Sequence, residues 1–243
     1  QAFDFNGDGN LDAAICGGSG LRAYLGNGAG AFSETILIPL PGHSNLSIDI
    51  GDLNGDGIFE AVYTGGTTNP TWVIIASNLG GSFVPMLTIP MPVGVSMVRI
   101  LDFTGDGFPE IFCVWGPTGP TYGPNYILVN NANGQLSFSI SAPVLPLGAG
   151  SAFLDGNYGL HVTDINGDGC QDLFALSYPS SYIGFYLGSP TQVYTTIGST
   201  ISLFPNNYLF RPLRDFDRDG FVDMNFAGPA SVTGGIGVGM IVN

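Results

Sequence analysis

The chain has 243 residues, 44% of them hydrophobic and only 10% charged, with five Arg, no Lys and a formal net charge of −14. That supplies a core for one large domain or two small ones. The acidity excludes a nucleic-acid surface and attraction to anionic membranes, both of which need Lys and Arg, and no run of 18 apolar residues spans a bilayer, so neither nucleic acid nor membrane insertion is expected.

The chain opens in a short strand and reaches at once the run Asp4-Phe5-Asn6-Gly7-Asp8-Gly9-Asn10-Leu11-Asp12. Asp4, Asn6, Asp8 and Asp12 place side-chain oxygens at positions 1, 3, 5 and 9, with the carbonyl of Asn10 at position 7. Ca²⁺ takes about six to eight hard oxygens, and alternate side chains of a tight loop converge on one point when a Gly such as Gly9 permits the turn. Apolar, β-branched or aromatic runs bounded by Gly and Ser then predict strands over 11–16 and 21–25, and a further strand marked by Phe32.

The same order recurs. A short strand over 47–51 leads to a loop with Asp52, Asn54, Asp56, Glu60 and the carbonyl of Ile58, then strands over 59–64 and 72–76 and one marked by Phe83. The third repeat has a strand over 97–101, a loop with Asp102, Thr104, Asp106, Glu110 and the carbonyl of Phe108, and strands over 111–115 and 126–129 and at Phe138. Thr104 is a weaker ligand than Asp or Asn. The fourth has a strand over 159–163, a loop with Asp164, Asn166, Asp168, Asp172 and the carbonyl of Cys170, and strands over 173–177 and 183–187 and at Tyr194. The fifth has a strand over 210–214, a loop with Asp215, Asp217, Asp219, Asp223 and the carbonyl of Phe221, and strands over 222–227 and 236–242, with no fourth strand.

Of the 19 acidic residues, 16 lie in these five loops, leaving Glu34, Asp49 and Asp155. The acidity is therefore that of the metal sites. Up to five Ca²⁺ ions are expected, which would bring the net charge from −14 to −4. Without them the carboxylates of each loop repel one another and oppose the folded turn. An EF-hand needs a bidentate Glu at position 12 between two helices; position 12 here is Ile15, Tyr63, Cys113, Ala175 and Phe226, and an apolar strand follows at once.

Loop starts at 4, 52, 102, 164 and 215 give intervals of 48, 50, 62 and 51 residues, and a period near 50 signals a repeat architecture. Four short strands per period, joined by short connections, predict an all-β chain: a β-propeller of four-stranded blades, five repeats visible, the last blade lacking its fourth strand. The repeats fall at about 1–46, 47–96, 97–158, 159–209 and 210–243 of a single domain over 1–243, a domain open to being part of a longer chain.

The repeated loop after a short strand, followed by an apolar strand and a segment such as Leu25-Gly26-Asn27-Gly28-Ala29-Gly30-Ala31-Phe32, resembles the FG-GAP/VCBS repeat family of integrin alpha-subunit headpieces and secreted adhesion proteins; some fungal lectins are similar. The resemblance implies that each loop joins the first and second strands of a blade, binds Ca²⁺ on one rim and mainly stabilises. Departures are Glu at position 9 in repeats two and three, and Thr104 in the third.

Residues suited to catalysis are scarce. His43 and His161 are the only histidines, and no nucleophile elbow or phosphate-binding lysine loop is present. Asp49 and Asp155 read as solvated strand or turn residues. Cys16 and Cys113 sit in apolar runs and read as buried free thiols, and the Arg211 to Arg218 cluster as the flank of a strand. The third repeat carries two inserts, 116–124 and 148–157, which read first as spacers with the rings of Trp115, Tyr122, Tyr126 and Tyr158 in the core, and second as a recognition loop with those rings stacking on a sugar or partner. Asn45-Leu46-Ser47 is the one glycosylation sequon.

The expectation is an extracellular or cell-surface, calcium-stabilised adhesion or recognition module rather than an enzyme, since millimolar external calcium would fill modest-affinity loops. Its partner would be a protein, a glycan or copies of itself. The alternatives are a structural subunit of an assembly joined through the incomplete blade, and a carbohydrate-binding lectin.

Overall fold

The computed structural model describes residues 2–4, 6–17, 20–39, 47–65, 72–78, 83–92, 94–115, 125–141, 152–153, 160–178, 182–191, 195–197, 209–210, 224–229 and 236–241. The chain divides into two compact units, residues 1–100 with 108–144, and residues 101–107 with 145–243. Among the described residues every regular element is a strand, and no helix is long and apolar enough to cross a membrane.

The first unit is built on three four-stranded antiparallel sheets. Sheet one is β1 (Ala2–Phe3), β2 (Asp12–Gly17), β3 (Gly20–Gly26) and β4 (Phe32–Pro39), hydrogen-bonded in chain order. Sheet two repeats this with β5 (Ile48–Gly51), β6 (Glu60–Gly65), β7 (Trp72–Asn78) and β8 (Phe83–Pro90). Sheet three does so with β9 (Val95–Leu101), β10 (Glu110–Trp115), β11 (Tyr126–Asn130) and β12 (Phe138–Ile140). In these three sheets the acid-rich loop joins the first strand to the second, and position 9 is the first residue of the second strand.

Strand β6 shows why these sheets stack. All six of its residues are buried, so both faces must be covered, and the two-residue period of a strand sends alternate side chains to opposite sides. Ala61 and Tyr63 pack with Ala14 and Ala23 of sheet one, while Val62 packs with Val98, Ile111 and Leu128 of sheet three. Sheet two is thus the middle layer of three, packed face to face on both neighbours. Outer strands meet water: β8 is largely exposed beyond Phe83. Its pairing with β7 shifts register between Ile75 and Ala76, as the β3–β4 pairing does between Ala23 and Tyr24. A register shift, with Pro85 and Pro90 in the strand, blunts an edge that would otherwise template pairing.

The other edge of sheet three is covered by side chains. The backbone N–H of Ile100 donates to Asp49 Oδ2 at 2.8 Å and that of Val98 to Ser47 Oγ at 3.2 Å. Asp49 is therefore not the solvated residue that the sequence predicts: it is 5% exposed. Burial raises its carboxyl above the usual carboxylate range, opposed by the Ile100 N–H and the Arg99 charge. We expect Asp49→Ala to lower stability by about 2 kcal/mol through the buried donor it strands, and Asp49→Asn, which keeps an acceptor, to lower it less. Urea unfolding midpoints of the two variants decide; equal midpoints with the parent protein would restore the solvated reading.

In the second unit, β15 (Asp172–Tyr178), β16 (Tyr182–Leu187) and β17 (Thr195–Ile197) follow the same order. The first strand, however, is split. β14 (Leu160–Thr163) pairs with Asp172 to Ala175, and β13 (Ala152–Phe153) pairs with Ser177 and Tyr178 along the same edge of β15. The fourth repeat thus begins earlier than residue 159, because part of the expected insert enters the edge strand itself. The last sheet is β18 (Leu209–Phe210), β19 (Met224–Pro229) and β20 (Ile236–Ile241), three-stranded among the described residues.

Candidate metal centres

The loops share one backbone geometry. In loops one to four the Gly at positions 4 and 6 both have positive φ: 77° and 86° at Gly7 and Gly9, 74° and 82° at Gly55 and Gly57, 69° and 85° at Gly105 and Gly107, 73° and 87° at Gly167 and Gly169. Two left-handed residues so close together curl the chain and aim the intervening N–H groups inward.

The carboxylate at position 1 receives those groups. Asp4 Oδ1 accepts from the N–H of Gly7 and Asp8 at 2.8 and 3.2 Å, and Oδ2 accepts from Gly9 at 2.7 Å. Asp102 does the same with Gly105, Asp106 and Gly107, and Asp164 with Gly167, Asp168 and Gly169. Asp52 takes Gly55 and Gly57. Position 3 is turned into the loop as well: the Oδ1 of Asn6, Asn54 and Asn166 accepts the N–H of the position-5 Asp at 2.9, 3.2 and 3.1 Å. Thr104 instead lies 3.4 Å from Asp102 Oδ1 through its hydroxyl and is buried.

Positions 5 and 9 are opposites in exposure. Asp8 and Asp168 are exposed; the N–H groups of Asn10 and Cys170, followed by the Asn6 and Asn166 side chains, hold their carboxyls below the usual value. The position-9 acids Asp12, Glu60, Glu110 and Asp172 are all fully buried. Asp172 Oδ2 accepts from the Ile165 N–H, at position 2 of its own loop, and Oδ1 from the Gly188 N–H, both at 2.8 Å. Burial raises the Asp172 carboxyl, these two donors oppose the rise, and Asp168 and Asp164 add to it. Glu60 follows the same logic, with Leu53 N–H at 3.0 Å and Ser77 Oγ at 2.9 Å as donors.

Gly26, Ser77 and Gly188, at the end of the third strand, are the functional positions that the sequence reading passes over. Gly26 donates to Asp12 Oδ1 at 2.8 Å, so the third strand of each of these repeats closes on its own position-9 acid. The signal was available: where position 9 is the shorter Asp the partner is Gly, and where it is the longer Glu60 the partner is Ser77. In the third repeat the corresponding Asn130 bonds the carbonyls of Pro109 and Leu53 through Nδ2.

Among the described residues no three carboxylate, imidazole or thiol groups are gathered into a cage. The donor set nonetheless fits a hard cation. Carboxylate and amide oxygens alternate at positions 1, 3 and 5 of a curled loop, and each of these carboxylates has more lone pairs than the N–H groups engage. A divalent charge there would offset the desolvation and mutual repulsion carried by Glu60 and Asp172.

The side chains at position 7 vary without disturbing the loop: Ile58 is exposed, Cys170 buried, and the N–H of Asn10, Ile58 and Cys170 each donates to Oδ1 of its position-5 Asp at 2.7 to 2.8 Å. Cys113 and Cys170 are free and buried. Of the aromatic candidates, Tyr126 packs against the sheet two and three core, while Tyr122 and Tyr158 lie outside the described residues. So do His43, Asp155, the Arg211 to Arg218 cluster and the whole fifth loop, with Asp215, Asp217, Asp219, Phe221 and Asp223. His161 is on β14, opposite Phe174.

A family model described as an FG-GAP-like repeat matches residues 4–63 and 102–175, more than half of the chain. Among solved structures, one similar to this chain is an Agrocybe aegerita lectin, in work on its specific recognition of non-reducing terminal N-acetylglucosamine. Identity is 16%, coverage 93% of this chain and 60% of that one, and the TM-score 0.59. Another is BBS1N in complex with ARL6DN, soaked with lead, at 13% identity, 94% and 62% coverage and a TM-score of 0.54. The chain therefore spans about three fifths of the length of either. No curated protein matches it.

Proposed function

The chain belongs to the FG-GAP-like repeat family, and we propose that it is a calcium-stabilised β-propeller-like recognition module, non-enzymatic and extracellular, in which the five sheets serve as blades. The observation that carries this is the repeated loop: a position-1 carboxylate gathering the N–H groups of its own turn, acceptors at positions 3 and 5, and a buried acid at position 9 tying the turn to the third strand. Such loops are built as fixed points, and the connections between strands are what they hold in place for a ligand. Residues 4, 6, 8 and 12 and their equivalents would hold Ca²⁺, which would supply charge neutralisation rather than chemistry.

A glycan is the first ligand class to test, because the fold is shared with a lectin. The experiment is a thermal melt in millimolar calcium and in chelator, paired with a glycan array that includes terminal N-acetylglucosamine. We expect a melting temperature at least 10 °C higher in calcium, the effect of ligands that bind only the folded state, and glycan binding that chelation abolishes. An unchanged melt would remove the calcium reading. A silent array with an intact calcium effect would turn the recognition reading to protein partners.

A further inference from the structure

The third and fourth loops are joined by one residue. Gln171, position 8 of loop four, donates its backbone N–H to the Asp102 carbonyl at 2.7 Å, and its side-chain Oε1 accepts the Asp102 N–H at 2.8 Å. Both main-chain groups of the first ligand residue of loop three are thus held by a single residue of loop four. The contact continues next to it: Ser189 N–H donates to the Phe103 carbonyl at 2.7 Å, and the Cβ position of Gly105 lies 3.1 Å from the Gly169 carbonyl and 3.2 Å from Cys170 Sγ. Gln171 itself is exposed, so its side chain is held by these bonds and not by burial.

Gln171 also sits between two residues of its own metal set, Cys170 at position 7 and Asp172 at position 9. Whatever fixes those two fixes the peptide between them, and with it the donor and acceptor that orient Asp102. We propose that Gln171 is a positioning residue that couples the two sites, so that occupation of loop four pre-organises loop three and raises its calcium affinity. This rests on the calcium reading of the loops. Coupling of this kind is reciprocal, so loop three favours loop four by the same factor. Its size is that of one hydrogen bond to a main-chain group, about five-fold in affinity.

The test is calorimetric titration of the full, chelator-stripped chain with calcium, comparing the parent, Gln171→Met, Asp168→Ala and the double variant. Methionine keeps the backbone N–H and the length but removes the acceptor. We expect Asp168→Ala to delete one site and weaken a second about five-fold, Gln171→Met to weaken that second site alone, and the double variant to show no weakening beyond that of Gln171→Met. Gln171→Glu, which retains the acceptor, should keep the coupling. In chelator, hydrogen exchange of the segment holding Asp102 should be faster in Gln171→Met than in the parent.

Faster exchange with unchanged calcium affinities would reduce Gln171 to a structural link and overturn the proposal while leaving calcium binding intact. The same weakening by Asp168→Ala with Met at position 171 would do so too. A parent protein that takes up no calcium would overturn both readings at once.

Discussion

Gly188→Ala is expected to destabilise the protein by about 3 kcal/mol, lowering its melting temperature by roughly 10 °C. A Cβ at this position would lie 2.6 Å from the Gln171 carbonyl oxygen, 2.6 Å from the Phe103 carbonyl oxygen and 2.8 Å from Cys170 Cβ. Two of these are backbone atoms of separate loops, and the same loops are fastened by hydrogen bonds from Gly188 N–H to Asp172 and from Ser189 N–H to Phe103. Relief of the clash by moving either loop breaks those bonds. Overpacking without room to yield then adds to the loss of a buried acceptor's partner. Gly169→Ala is the control: its φ of +87° is unsuited to an L side chain, yet nothing lies within 4 Å of the added carbon, so only the backbone term of about 1–2 kcal/mol applies. If the two variants melt together, close approach at Gly188 is not what the fold depends on.

The difference between these two glycines marks how far the sequence could be read. Gly at position 6 was legible, because a nine-residue stretch with four oxygen-bearing side chains needs a sharp turn, and the period of about 50 residues pointed to the four-strand order seen in the first three repeats. The strands themselves follow closely: the apolar run expected over 72–76 is β7, Trp72–Asn78, and that over 111–115 is β10, Glu110–Trp115. Gly188 was not legible, since its requirement comes from two loops distant in sequence and not from its own φ. Asp49 misled for the same reason. Its neighbours Ile48 and Ile50 fit an alternating strand with a polar residue facing water, but the water side is taken by the edge of the next sheet, whose Ile100 N–H it caps. The split first strand of the fourth repeat was also hidden, because a Gly-rich stretch reads as loop even where two of its residues, Ala152 and Phe153, pair with β15. What local pattern dictates was visible; what one repeat does to the next was not.

Asp172→Ala and Asp168→Ala should separate the two kinds of acid within one loop. If the loops hold calcium as proposed, both variants remove a ligand, so in calcium both should melt below the parent and lose one bound ion. In chelator they part. Asp168 is exposed and its bonds are to its own turn, so its removal should change stability by no more than about 0.5 kcal/mol. Asp172 is fully buried, and its removal strands the N–H groups of Ile165 and Gly188, a loss of about 3 kcal/mol. Chemical denaturation of the four protein and calcium combinations reads this directly, and equal losses in chelator would make Asp172 a metal ligand and nothing more. The pH dependence gives a second readout. The carboxyls of Asp49, Glu60 and Asp172 are raised by burial, so in the folded state they keep protons that the unfolded chain releases at ordinary carboxylate values. Their contribution is full below the unfolded value and is lost as the pH rises through the folded one. Chelated protein should therefore gain stability as the pH falls from neutral toward the ordinary carboxylate range, and Asp172→Ala should gain less. Calcium should flatten the same profile, because a cation among the carboxylates favours their charged forms and removes the reason to hold a proton.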